Sequence, residues 1–208
     1  MKVFVTGGTG FTGSRVVPML LQDGHRVRCL YRKASDRSLL PQFEIDWVLG
    51  DVSESQSLSS AMQGTDTLLN IASLGFGHAD SIINAAKNAG IKRAIFISTT
   101  AIFTQLNAGS KKVRLVAEAA IQNSGLQYTI LRPTMIYGSD RDRNMFRLIR
   151  FMRYFTLVPV FGDGNYLQQP IYVDDVAQAI LDCLASEKTI GKSYNIAGAH
   201  PLTYNQII

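Results

Sequence analysis

The stretch Thr6-Gly7-Gly8-Thr9-Gly10-Phe11-Thr12-Gly13 decides the fold. It follows the apolar run Lys2–Thr6 and opens a helical pattern over Gly13–Gln22, so glycines at 7, 10 and 13 sit on a strand-to-helix turn. Each has a mechanical task there. Gly7 allows the tight turn, Gly10 lets backbone approach a pyrophosphate, and Gly13 lets the helix pack closely on the sheet. The amides that open the helix then face the anion. Such a loop is weak evidence alone; its position ahead of a long strand–helix alternation gives it weight.

That alternation is read outward from the loop. Short apolar runs at Lys2–Thr6, Arg26–Tyr31, Glu44–Leu49, Thr67–Ile71, Ala94–Ser98 and Tyr128–Leu131 read as strands buried on both faces. Helical patterns at Gly13–Gln22, Gln56–Met62, Ala79–Asn88 and Lys112–Gln122 lie between them, with Gly24, Gly64, Gly90 and Gly125 just past the helix ends, where a left-handed cap is wanted. Repeated β–α order requires right-handed crossovers and a parallel sheet covered on both sides. The expectation is an α/β Rossmann fold: a doubly wound parallel sheet over residues 1–135, with a small C-terminal substrate lobe over 136–208, partly interleaved with the sheet. The lobe is read as a basic helix, the loop Gly162-Asp163-Gly164-Asn165, a strand Pro170–Val173, a helix Val176–Ala185 and a strand Ser193–Ile196.

Length and composition narrow the partners. At 208 residues and 46% hydrophobic content the chain buries about 70% of its unfolded surface, so disorder is excluded for the whole. No apolar run approaches the roughly 18 residues of a membrane span, and Met1-Lys2-Val3-Phe4-Val5 enters a strand without a signal-peptide pattern, so the cytoplasm is expected. Cys29 and Cys183 stand apart from one another and from the histidines, which points to reduced core residues and to no metal site. The net charge of +5 is concentrated: Arg141, Arg143, Arg147, Arg150 and Arg153 face a single acid, Asp142. The helical spacing of Arg143, Arg147 and Arg150, with Met145, Leu148, Ile149, Met152 and Phe155 on another face, reads as a solvated basic helix, then as a lid over an anionic substrate, and only after that as a membrane-surface helix. Nucleic acid is not an expected partner.

The strand ends carry the chemistry. After the second strand, Tyr31-Arg32-Lys33 offers cations where an NAD site commonly places an acid, so Arg32 predicts NADP(H), with NAD(H) the alternative. Asp51 and Val52 follow the third strand, where an adenine would lie; Asp51 either accepts from the adenine amine or caps the next helix. Ala72, Ser73, Ser98 and Thr100 end the next two strands and border the nicotinamide and its ribose. Asp174 and Asp175 are read as caps of the helix that follows them.

The loop TGGTGFTG, Gly50-Asp51, Ser98-Thr99-Thr100, Arg132-Pro133-Thr134-Met135-Ile136-Tyr137-Gly138, Tyr172-Val173-Asp174-Asp175-Val176-Ala177 and Tyr194-Asn195-Ile196 recur in an order that resembles the extended and atypical short-chain dehydrogenase/reductases, which include nucleotide-sugar epimerases and dehydratases. The resemblance implies NAD(P) held by Gly7, Thr9, Gly10, Phe11 and Thr12, a small-molecule carbonyl or sugar-derived substrate, and a homodimer. It also implies a Tyr-x-x-x-Lys pair in which the phenol moves a proton, beside a Ser or Thr that Thr100 matches. With Lys111 as the lysine, Asn107 stands at the tyrosine position; in the other register the pair is Ser110 and Arg114. No tyrosine occurs between Tyr31 and Tyr128. An NADP(H)-dependent reductase or epimerase using Thr100 and Lys111 is one expectation, and a non-catalytic dinucleotide-binding regulatory or assembly protein is the other. Gln168-Gln169 stands where nucleotide-sugar enzymes carry a phosphate-reading arginine, so the pattern looks more like the atypical branch. The ending at 203–208 reads as the first turn of a further helix, with two expectations: a truncated form, or one from which a disordered tail is removed.

Overall fold

The computed structural model describes residues 1–40, 43–106, 108–142, 145–155, 157–160 and 162–208. Seven strands form one all-parallel sheet. In chain order they are β1 (Lys2–Thr6), β2 (Arg26–Tyr31), β3 (Asp46–Leu49), β4 (Thr67–Asn70), β5 (Arg93–Ile97), β6 (Gln127–Pro133) and, much later, β10 (Lys192–Ile196). Their spatial order is β10-β6-β5-β4-β1-β2-β3. The chain therefore starts in the middle, winds outward through β2 and β3, and returns to β4 on the other side of β1. Between β1 and β4 the two halves turn away from each other, and loops at the carboxyl ends of those strands part to leave a crevice.

Helices cover both faces. α1 (Gly13–Gln22) lies with α6 (Val173–Ala185) on one face, where Val16, Val17, Leu20, Val176 and Ile180 bury against Val3, Val5 and Ile95. α2 (Ser55–Met62), α3 (Ala79–Asn88) and α4 (Gly109–Gln122) cover the other, where Leu58, Met62, Ile82, Ile83 and Ile121 meet Phe4, Leu68 and Phe96. Gly24, Gly64, Gly90 and Gly125 follow their helices with φ of +80°, +70°, +77° and +79°, the left-handed caps the sequence predicts.

Residues 136–208 enter the same body rather than standing beside it, since α6 fills the α1 face and β10 adds the last strand. Two small pairings complete it: β7 (Ile136–Tyr137) runs parallel to β9 (Ile171–Tyr172), and β11 (Leu202–Thr203) antiparallel to β8 (Leu167–Gln168). The basic helix is α5 (Met145–Tyr154), and the chain ends in α7 (Tyr204–Ile207), opened by a capping box between Thr203 and Gln206.

The element ends differ from the sequence reading by one to three residues. β3 starts at Asp46, β4 stops at Asn70, and β5 and β6 each start one residue early. α4 begins at Gly109 because its polar first turn, Gly109-Ser110-Lys111, lacks the apolar periodicity that marks a helix. α6 begins at Val173, so Asp174 and Asp175 lie in its first turn and do not cap it; the capping position is Tyr172, which makes no side-chain cap bond. Asp174 instead takes a bidentate hydrogen bond from Arg15 of α1, 2.8 Å on each oxygen, and locks the two helices of that face together. Cys29 and Cys183 are buried free thiols.

Candidate active site at the carboxyl ends of the strands

The loop between β1 and α1 is built around atoms with no room for side chains. Gly7 has φ +74°, and a Cβ there would meet Ala72 N at 2.8 Å. A Cβ at Gly13 would fall 2.2 Å from Gly7 O and 2.6 Å from Gly8 Cα, so this glycine lets the first turn of α1 rest directly on the loop. Gly10 is different: the nearest atom to a Cβ is Gly7 O at 3.2 Å, and beyond it the loop faces open space. First-turn amides of a helix have no intrahelical acceptor, and here they meet that space.

Two cavities join across this loop, since Thr9 and Gly10 line both. One, of 610 Å³, is bounded by Gly7, Leu30, Arg32, Ser35, Asp51, Val52, Ser53, Ala72, Ser73, Phe76 and His78. The other, of 1180 Å³, is bounded by Phe11, Ser98, Thr99, Thr100, Thr104, Pro133, Thr134, Met135, Arg141, Asp142, Gln168 and Gln169, among others. Together they make a groove over the centre of the sheet, with Arg32 and Asp51 at one end and hydroxyls, amides, Arg141 and Asp142 at the other.

The narrower end brings Arg32, Asp51, Val52, Ala72 and Ser73 together. Asp51 Oδ1 accepts from Ser53 N at 2.9 Å and Ser53 Oγ at 2.8 Å, a local turn; α2 has Glu54 at its capping position, so Asp51 does not cap it. Those Ser53 hydrogen bonds, and then the nearby Arg32 and His78, hold its carboxyl below the usual range. The first acid after β2, Asp36, lines neither cavity. Its carboxylate accepts from Ser38 N at 2.9 Å and pairs with Arg141 at 3.0 Å, which holds it down at about 2. Arg37 stacks 4.5 Å over the Tyr31 ring.

The wider end brings Ser98 and Thr100 together. Ser98 Oγ is buried at the cleft wall without a hydrogen-bond partner, an orphaned donor of the kind a bound polar group satisfies. Thr100 Oγ1 donates only a long bond, 3.4 Å, to Pro133 O. Thr134 Oγ1 donates to Gln169 O, and Gln169 Nε2 to Gly198 O, so Gln169 is held in place on both sides.

Two of the sequence-predicted residues stand outside the groove walls. Thr12 is the N-cap of α1 and makes no side-chain cap bond. Lys111 donates through Nζ to Thr104 O, so it fastens the turn that carries Thr104 into the cleft and does not itself line it. Asn107 and Arg143 lie outside the described residues; in the other register, Arg114 Nη1 donates to Ser110 Oγ at 2.6 Å. Tyr137 and Tyr172 pack ring to ring at 5.5 Å and are absent from both linings. Among the described residues no group of three or more His, Cys, Asp or Glu side chains is placed to hold a metal. Sequence reasoning missed Phe76, His78, Thr104 and Asp142. Phe76 and Thr104 end single 3-10 turns and His78 sits at the N-cap of α3, places that carry no sequence periodicity. Asp142 had a signal, being the lone acid in an arginine-rich stretch; it is buried at the cleft wall, where its Oδ1 accepts from Phe146 N at 2.8 Å.

Comparison with known proteins gives a consistent picture. A family model described as NAD(P)H-binding matches residues 7–187. The chain is 27% identical to the mitochondrial NADH dehydrogenase [ubiquinone] 1 alpha subcomplex subunit 9 of Arabidopsis thaliana, over 98% of this chain and 55% of that protein. It is 27% identical to a 4-hydroxy-2-methyl-3-oxo-4-farnesyl-3,4-dihydroquinoline-1-oxide ketoreductase of Stigmatella aurantiaca, over 92% of this chain and 66% of that one. The chain thus spans about half to two thirds of the length of these relatives. Among solved structures, the epimerase Mth375 of Methanothermobacter thermautotrophicus superposes with a TM-score of 0.87 at 17% identity, covering 99% of this chain and 74% of that one.

Proposed function

The chain belongs to the NAD(P)H-binding family, with the Rossmann fold of the epimerase/dehydratase-like short-chain dehydrogenase/reductases, and from that premise we propose that it is an NADP(H)-dependent reductase of a carbonyl or sugar-derived substrate. The observation that carries the reading is the single groove running from Arg32 past the glycine loop to Ser98 and Thr100. Gly7, Thr9, Gly10, Phe11 and the first turn of α1, which Thr12 opens, hold the pyrophosphate. Arg32 meets the ribose 2′-phosphate, while Asp36 is already engaged by Ser38 and Arg141 and leaves that end basic. Asp51 and Val52 border the adenine, and Ala72, Ser73 and Ser98 the nicotinamide side. Bound there, the cofactor supplies or accepts a hydride.

The residues of this chain do the rest. Thr100 holds the substrate oxygen by its hydroxyl. With no tyrosine among the described residues of the cleft wall, the proton that accompanies the hydride reaches that oxygen through water held between Thr100 and the Asp142 carboxylate, which lines the same end of the groove. Lys111 acts through Thr104 by holding its turn in place. Gln168 and Gln169 stand where the resembled nucleotide-sugar enzymes carry a phosphate-reading arginine, and Arg141, which lines the same cavity, is paired with Asp36; both favour a neutral substrate over a nucleotide-sugar. The homodimer implied by the resemblance belongs to the same reading; Leu115 and Val116 stand exposed on α4.

The test is a titration of NADPH and NADH followed by nicotinamide absorbance with a panel of ketones, quinones and sugars. NADPH binds more tightly than NADH, Arg32→Asp weakens NADPH far more than NADH, and Asp142→Asn keeps binding while lowering turnover at least tenfold. Equal losses of both cofactors in Arg32→Asp overturn the phosphate assignment. Tight binding with no consumption of any substrate favours the second reading, a dinucleotide-binding regulatory or assembly protein, which the lack of a cleft tyrosine supports.

A further inference from the structure

Helix α5 is only partly covered: Met145, Phe146, Leu148 and Met152 are half-buried and its other residues are exposed. None of its residues is buried, and neither apolar cluster draws on it. Its sequence is nonetheless half apolar. At 3.6 residues per turn, Met145, Leu148, Ile149, Phe151, Met152 and Phe155 fall in one sector about 160° wide. Phe155 continues the helical bonding, its N donating to Phe151 O at 3.0 Å, and its ring stacks on Phe151 at 4.6 Å. Ile149 is 44% exposed, Phe155 57%, and Leu157 just beyond is 84% exposed. Monomeric proteins rarely leave such a contiguous apolar surface without a use for it.

The charges say what covers it. Arg147 and Arg153 flank the apolar sector on its two borders and Arg150 lies opposite its centre, all exposed. None takes part in the ion pairs among the described residues. No acid occurs in the sequence from Arg143 to Gly162. A second copy of this face would bring like charges together with no acid to offset them, which disfavours self-pairing. An anionic surface with an apolar interior matches both halves of the pattern.

We propose that α5 is an interfacial helix that lies in the plane of an anionic lipid bilayer, apolar sector toward the acyl chains, with Arg147 and Arg153 reaching up to the headgroups. The helix does not cross the bilayer; no helix among the described residues is long and apolar enough to do so. The inference is independent of the cofactor reading, because α5 lines neither cavity.

Vesicle sedimentation tests it. The protein pellets with vesicles of phosphatidylcholine plus phosphatidylserine and stays in solution with phosphatidylcholine alone, and added salt releases it. Replacing all three arginines (Arg147→Gln, Arg150→Gln, Arg153→Gln) weakens partitioning by roughly a hundredfold, about fivefold per charge. Ile149→Ser with Phe155→Ser abolishes it with the charge unchanged. All five positions are exposed, so the melting temperature of each variant should match the parent. Failure to pellet with anionic vesicles, or equal binding to neutral ones, overturns the proposal without any variant. So does a concentration-dependent dimer that the same variants dissolve.

Discussion

Cys29 shows burial setting the chemistry of one residue. It lies in β2 under the glycine loop, so close that a Cβ on Gly8 would stand 2.9 Å from its Sγ. Burial, and after it the charge of Asp46, pushes the thiol up to about 12 from an ordinary 9.0. A group whose pKa is raised on folding stabilises fully below its unfolded value, and that contribution is lost as pH rises toward the folded value. Between about pH 9 and 12 the unfolded thiol ionises and the folded one does not, so stability should fall by up to about 1.4 kcal/mol per pH unit from this group alone. Urea midpoints of the parent and Cys29→Ala across that range isolate it, because other titrations are common to both. The variant loses some packing at every pH and shows a shallower alkaline slope; parallel slopes would refute the assignment. The thiol's burial was legible from its apolar strand, as were the tasks of Gly7 and Gly13. The partner of Asp174 was not, because Arg15 lies 159 residues away and nothing local distinguishes an ion-paired Asp from a cap.

At the scale of elements, α4 and β6 are joined by a buried ion pair. Arg132 of β6 donates through Nε and Nη2 to the Glu118 carboxylate of α4, the two side chains 15% and 5% exposed, and its guanidinium sits 5.5 Å from the Phe103 ring. Removing one partner of such a pair strands the other charge, and that desolvation cost exceeds what the pair contributes. Arg132→Met should therefore cost about 3 kcal/mol, and Glu118→Leu on top of it should recover most of the loss. Chemical denaturation of the two variants decides it; a double variant no better than the single would show that the pair acts through packing alone. Elements with strong periodicity were legible in the sequence to within a few residues, since strands buried on both faces and capped amphipathic helices write their pattern locally. The two-residue pairings of β7 with β9 and of β8 with β11 carry no such pattern. They exist because the strands they extend bring distant segments side by side.

For the molecule as a whole, the groove is bordered by chain from both halves. Ser35 lines its narrower end and Arg141 its wider one, and the Asp36–Arg141 pair at 3.0 Å ties the loop after β2 to the segment before α5. Both side chains are largely exposed, and exposed ion pairs are weak and screened by salt, so the tie can open on its own. We expect a dinucleotide to pass this tie on entering and on leaving the groove. Asp36→Asn should then raise the association and release rate constants of NADPH together, by roughly two- to fivefold, and leave Kd nearly unchanged. Stopped-flow fluorescence measures both rates, and high salt should move the parent toward the variant. An unaltered release rate would mean that the pair does not gate the groove. A change in Kd without a change in the ratio of the two rates' salt dependence would place Asp36 in direct opposition to the 2′-phosphate, since a carboxylate beside that group acts on affinity, whereas a strap acts equally on entry and exit.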